Sequence, residues 1–261
     1  MFHNFKTMRI NTMKCGTLKV KAEEMIKPLP LEVIQRKYEV DAGGYMKLAM
    51  QSLLVEESES VLVIDPGCAD FLPRSLAESY GLEIGVPLEE SLIKMGVAAE
   101  QVTDVIFTHL HFDHGSGAFR RVPGNIVKVF PNARYHVSKE HYDYARKPQP
   151  REASSFFTTF FRYVDRIYWL EDWSREWIKF MPFYGHTHGM VVPVILDGHT
   201  SVYYLSDLIP MEIFLDTGVY SGYDLNPDLA IREKKDLLSG LAGSNQIIYF
   251  HDPLENSRIY P

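Results

Sequence analysis

Cysteine is scarce in this chain of 261 residues: Cys15 and Cys68 are the only two. Two thiols cannot build a disulfide framework, and the plain reading is a pair of reduced cysteines in a cytoplasmic protein. Long apolar runs are missing as well. No span reaches the roughly 18 residues that a membrane helix needs. The uncharged stretch Met181–Leu196 is broken by Pro182, Gly185, two histidines and Pro193. Lys6, Arg9, Lys14 and Lys19 interrupt any leader-like apolar stretch near the start, so no secretory signal is expected. Excess positive charge is absent too. Lys and Arg total 27 against 34 for Asp and Glu, a net charge of −7 with no basic block. That balance argues against nucleic acid and anionic membrane as partners. There is no internal repeat and no low-complexity linker, so one domain spanning 1–261 is expected.

What is present is an ordinary soluble composition, 46% hydrophobic and 23% charged, enough for a large core without disulfides. Short β-rich runs alternate with amphipathic ones. Gln51–Glu56 and Ser60–Ile64 read as strands around a polar turn, and Asp65-Pro66-Gly67 ends the second. Val105–Thr108, Ala133–Val137, Ile178–Phe183 and Gln246–Phe250 read as further strands. Val191–Leu196 and Ser201–Leu205 flank Asp197-Gly198, a hairpin signal. Helices are expected over Leu72–Tyr80, over Leu88–Met95, from Ser138 to about Arg146, and from the Asn226 cap and Pro227 to about Leu241. Strands preceding helices, twice over, suggest an α/β sandwich rather than a barrel.

Residues 154–184 differ from the rest and hold all three tryptophans. Trp169, Trp173 and Trp177 are spaced by four, and Phe156, Phe160, Tyr163 and Ile167 form a second stripe, which predicts an aromatic-rich helical insert. Two readings stand: core packing or a homodimer interface, and a lid that shapes an apolar substrate pocket.

The informative stretch is His109-Leu110-His111-Phe112-Asp113-His114-Gly115, which follows an apolar strand. His109 and His111 are two apart, so at an extended strand end they point the same way and can share one metal ion. Asp113 and His114 follow as the chain turns and face a second position. Gly115 and Gly117 let backbone pass close by. Imidazole with carboxylate suits zinc, iron or manganese. Four ligands in one loop need partners. His186 in Gly185-His186-Thr187-His188, Asp207 and His251 each follow a predicted strand. A lone histidine in such a place is more often structural than ligating. Their common position at strand ends favours ligation, because sites of α/β sheets gather there.

With these residues the sequence resembles the metallo-β-lactamase-fold hydrolase superfamily. The resemblance rests on His109-x-His111-x-Asp113-His114, Gly185-His186-Thr187, Ser206-Asp207-Leu208 and His251-Asp252-Pro253, with Asp65-Pro66-Gly67 as an early element. It implies an αββα sandwich of two mixed β-sheets flanked by helices, with two divalent transition-metal ions, zinc first, at one edge. Carried over, His109, His111 and His186 hold one ion, Asp113, His114 and His251 the other, and Asp207 bridges. A hydroxide between the ions then attacks an ester or lactone, with Asp113 steadying it. The chain departs from the family pattern in places. His188 stands where a proline is usual and Met190 where a histidine is usual. His188 is therefore a candidate proton donor or substrate contact, with a structural role as the alternative. Asp207 separates the chain from the zinc β-lactamases, whose matching ligand is a cysteine. Pro210 replaces the tyrosine of the acyl-homoserine lactonases.

The leading expectation is a dinuclear hydrolase of an ester or lactone in a small, partly apolar molecule. A phosphotriester or phosphodiester hydrolase on the same site is the alternative, and a non-catalytic metal-binding protein is a third reading.

Overall fold

The computed structural model describes residues 8–156, 158–198, 200–241, 243 and 245–260. Two mixed sheets with helices form the αββα sandwich that the sequence implies. The first sheet holds β1 (Arg9–Lys21), β2 (Tyr45–Glu57), β3 (Ser60–Ile64), β4 (Asp104–Ile106), β5 (Arg134–Val137) and β6 (Ile167–Trp169), in that spatial order. The β1, β2 and β3 strands are antiparallel neighbours, whereas β3 through β6 run parallel. The second sheet is β7 (Ile178–Phe183), β8 (Met190–Asp197), β9 (Thr200–Tyr204), β10 (Asn245–Ile248) and β11 (Ser257–Tyr260). There β9 and β10 are parallel and the other neighbours antiparallel.

The strands in the middle of each sheet are apolar on both faces because both faces are covered. Leu53, Leu54, Val55, Val105 and Ile106 are fully buried in the first sheet, and Ile195, Tyr204 and Ile247 in the second. The sheets meet through more than packing. Tyr204 donates to the Gln51 carbonyl at 3.0 Å, and Val191 N–H to the Thr108 carbonyl at 3.0 Å.

The predicted helices form with ends shifted by a residue or two: Arg74–Ser79, Leu88–Lys94, Lys139–Ala145 and Pro227–Gly240. Ser138 and Asn226 cap the last two through their side chains, accepting from His141 N–H and Leu229 N–H. The described residues of 154–184 do not form the expected helical insert. Trp169 lies in β6, paired with Val137, and only short 3₁₀ turns surround it. Aromatic side chains favour strands, and pairing with the β5 edge outweighs a spacing of four. Trp169, Trp173 and Trp177 pack, partly buried, against the core.

Strand direction places the site. β7 and β9 both run antiparallel to β8, and β10 runs parallel to β9, so all three end at one edge. β3 and β4 are parallel and also end together. Asp65 follows β3, the histidine loop follows β4, His186 follows β7, Asp207 follows β9 and His251 follows β10.

Candidate metal centre

His109, His111, Asp113, His114, His186, Asp207 and His251 converge at the seam between the sheets and are all buried. His109, His111, His186 and Asp207 form one group, and Asp113, His114 and His251 a second; within each group the ligating atoms lie within 4.8 Å of one another. Asp207 stands between the groups. Its Oδ2 is 3.1 Å from His186 Nε2 and 3.8 Å from His109 Nε2. Its Oδ1 is 3.3 Å from His114 Nε2 and 3.5 Å from His251 Nε2. Asp113 Oδ2 is 3.4 Å from His251 Nε2.

The tautomers follow from what the far nitrogens meet. His114 Nδ1 donates to Asp65 Oδ2 at 2.9 Å, His186 Nδ1 to Asp224 Oδ1 at 3.1 Å, and His251 Nδ1 to the Ala49 carbonyl at 2.8 Å. Thr108 Oγ1 donates to Asp65 Oδ2 at 2.6 Å and so accepts from His109 Nδ1 at 3.0 Å. Each of these four rings therefore turns a bare Nε2 inward. His111 is reversed. Its Nε2 lies 3.4 Å from Glu152 Oε2, and its Nδ1 faces His186 Nε2 at 3.3 Å.

The donor set fits divalent cations. The Nε2 atoms of His109 and His114 and Oδ1 of Asp207 are buried with no hydrogen-bond partner among the described residues. Lone pairs brought together in a dry place repel unless a cation lies between them. Imidazole and carboxylate without thiolate match zinc, iron or manganese. The electrostatics agree. Burial opposes charge on His186, yet Asp207 and Asp224 outweigh it and raise the imidazole to about 10. His114 is likewise raised well above its ordinary value against burial, chiefly by Asp207 and Asp113. Burial, with the neighbouring imidazoles, holds His109 well below its ordinary value. Positive charge is favoured on the rings that face Asp207, Asp113 and Asp224 and disfavoured on His109.

The local chain is built for this. Asp65 and Ser206 carry φ of 47° and 46°, a left-handed conformation that costs about 1–2 kcal/mol for such residues. Both are tied to Thr108: its N–H donates to Asp65 Oδ1 at 2.8 Å, and its hydroxyl lies 2.8 Å from Ser206 Oγ. The His186 loop is clamped onto the helix Pro227–Gly240. Glu233 accepts from Tyr184 N–H and Gly185 N–H at 2.8 and 2.9 Å, and a Cβ on Gly185 would sit 2.3 Å from Ala230 N. Gly117 passes under Pro66, whose carbonyl would be 2.4 Å from a Cβ there.

The structure does not bring His188 to the cluster. Its side chain is 44% exposed, with Nε2 2.9 Å from Glu140 Oε1 and the rings of Tyr144 and Tyr184 alongside. Only its backbone serves the site: the carbonyl accepts from His141 Nδ1 at 2.7 Å, while His141 Nε2 accepts from Leu110 N–H at 2.9 Å. His141 thus ties the two histidine loops together. Burial holds its imidazole down at about 3, so it stays neutral. The sequence reading missed His141, Glu152 and Asp224. No local spacing marks them, and only Asp65 carried a signal, the strand-ending Asp-Pro-Gly.

A cavity of about 130 Å³ opens onto the cluster, with His111, Asp113, His186, Asp207 and His251 in its wall. Its apolar side comes from Leu18, Val20, Leu48 and Met25, with Tyr80 and Tyr223 beside them. Of the described residues of 154–184 only Ser155 lines it, so none of the described aromatic side chains of this segment forms the pocket's wall. Phe156 acts at one remove, packing on His111 at 4.7 Å between ring centroids.

Comparison with known proteins agrees with this geometry. A family model described as the metallo-beta-lactamase superfamily matches residues 50–246. No curated protein matches the chain. Among solved structures, a probable metal-dependent hydrolase from Staphylococcus aureus superposes with a TM-score of 0.89 at 19% identity, covering 98% of this chain and 94% of that one. AidC, a dizinc quorum-quenching lactonase, gives 0.78 at 22% identity over 97% and 90%. The hydrolase AbOPH of the beta lactamase superfamily gives 0.76 at 22% identity over 98% and 94%.

Proposed function

Because the chain belongs to the metallo-beta-lactamase superfamily, we propose that it is a dinuclear metal-dependent hydrolase of esters or lactones in small, partly apolar molecules. The observation that carries this reading is the convergence of bare imidazole nitrogens from both sheets on the two oxygens of Asp207. In this reading His109, His111 and His186 hold one ion, Asp113, His114 and His251 the other, and Asp207 both. Zinc is the first choice, and the dizinc lactonase among the neighbours supports it. Two such cations supply a deprotonated water near neutral pH and polarise the oxygen of the attacked group.

The chain's own residues do the rest. Asp113 reaches the cavity wall and is placed to hold the proton of an incoming water on its carboxylate. Asp65, Thr108, Asp224, Glu152 and the Ala49 carbonyl hold the imidazoles in their ligating orientation. Leu18, Val20, Leu48 and Met25 receive an apolar acyl or leaving portion and exclude water around it. A cytoplasmic location belongs to the same reading. Cys15 and Cys68 are free and buried, as suits a reducing compartment.

The test is the protein loaded in turn with zinc, manganese and iron, its metal counted by elemental analysis, and a panel of lactones, thioesters, aryl esters and phosphotriesters assayed. Two ions per chain and turnover of an ester or lactone are expected. Faster turnover of phosphotriesters would replace the substrate class, and two ions without turnover would leave a metal-binding protein.

A further inference from the structure

Among the described residues that line the cavity, Arg151 is the one lysine or arginine. It is exposed, which sets it at the mouth, whereas the next residue, Glu152, is buried and turned inward onto His111 and the Tyr144 hydroxyl. Arg151 has no carboxylate partner among the described ion pairs. One of its five N–H donors, on Nη2, is used on the Gly222 carbonyl at 3.0 Å, across the mouth. That bond holds the guanidinium, and no other hydrogen bond of it is seen among the described residues. The same cavity wall carries Leu18, Val20 and Leu48. A guanidinium in the wall of the cavity, held on a backbone carbonyl and with no carboxylate partner among the described ion pairs, is a recognition element for an anion, since its planar fork matches a carboxylate or phosphate.

We propose that the substrate is a small ester or lactone that also carries an anionic group, and that Arg151 binds this group. The inference rests on the hydrolase reading and names its substrate class. It also resolves a conflict of charges. A free carboxylate competes with an ester for the cation-favouring cluster; a guanidinium at the mouth captures the carboxylate there and leaves the ester to enter.

The test uses p-nitrophenyl hydrogen glutarate and p-nitrophenyl butyrate, matched esters with and without the terminal carboxylate. For the metal-loaded protein the ratio of their kcat/KM values should favour the anionic ester. Arg151→Gln should lower that ratio about tenfold, mainly through KM, and Arg151→Lys should restore part of it. The preference should also shrink as salt is raised. If both esters fall together and the ratio holds, Arg151 is only a strap to Gly222 and the proposal is wrong. If the protein cleaves neither ester, the hydrolase reading is in question, and the proposal is then decided by binding. Calorimetry of the metal-free protein with the matching anilides should show tighter binding of the anionic one, lost in Arg151→Gln; equal binding of the two anilides overturns it.

Discussion

Asp65→Asn tests whether the residues behind the cluster set its chemistry. Asp65 is fully buried and uses both oxygens as acceptors: Oδ1 for Thr108 N–H at 2.8 Å, Oδ2 for the Thr108 hydroxyl at 2.6 Å and His114 Nδ1 at 2.9 Å. Asparagine keeps the shape and replaces one acceptor by a donor. If its NH₂ takes the Oδ2 position, it faces His114 Nδ1, which must then accept. The ring proton moves to Nε2, the atom that faces Asp207 Oδ1 at 3.3 Å, and a protonated nitrogen cannot ligate. If the amide flips, the NH₂ opposes Thr108 N–H, and a buried donor left unpaired costs about 1–3 kcal/mol. The first branch weakens the half of the site that His114 serves; the second keeps an acceptor at the Oδ2 place and lowers folding stability instead. Loss of an orienting partner lowers metal affinity by about 10–100-fold, which is about 1.4–2.7 kcal/mol. Competition against a chromophoric chelator should show the ion of Asp113, His114 and His251 weakened by that factor, with the ion of His109, His111 and His186 much less affected. Two ions held at unchanged affinity, with folding stability also unchanged, would refute the argument.

Asp207→Ala should remove activity more thoroughly than His251→Ala, because Asp207 reaches both groups of ligands and His251 one; equal residual turnover with both ions retained would speak against it. His188→Ala should keep two ions per chain by elemental analysis, since the ring turns outward to Glu140; loss of an ion from a normally folded variant would place His188 among the ligands. Asp104 provides a pH prediction away from the metal centre. Burial pushes its carboxyl up, but His136, Thr103 and Arg175 outweigh this and hold it at about 2. A carboxyl depressed in the folded state contributes stability that is complete above its unfolded value of 3.8 and is lost as pH falls toward 2. Denaturant unfolding of the wild type should therefore lose about 2 kcal/mol over that window, and the loss should be smaller in Asp104→Asn, which is less stable at pH 7; identical acid profiles would contradict the assignment.

The strands and ligands legible in the sequence were those with local marks: an apolar run that stops at a turn, a histidine two residues from another, an aspartate after a strand. β1 carried no such mark although it has 13 residues. Its buried side chains are Met13 and Cys15, then Leu18 and Val20, so the alternation changes phase. The cause is a register shift between Lys14 and Gly16 against β2, which spoils the period of two. The strand matters for the site, because Leu18 and Val20 form the apolar side of the cavity. Asp224 and Glu152 were illegible for another reason. Their partners His186 and His111 lie 38 and 41 residues away, and nothing in the neighbouring sequence distinguishes them from surface acids. The tryptophan spacing of four misled because β6 forms by pairing with β5, a contact of distant segments.

The seam between the sheets has a consequence for how the protein tolerates mutation. His109, His111 and His114 follow a strand of the first sheet, while His186, Asp207 and His251 follow strands of the second. A cation shared among them would work as a rivet through both layers, since any ligand that binds only the folded form deepens its free-energy well. Under the proposed function, selection for turnover and selection for durability would act on the same side chains. A lineage that gave up the chemistry would also loosen the sandwich and would need new packing across the seam to survive.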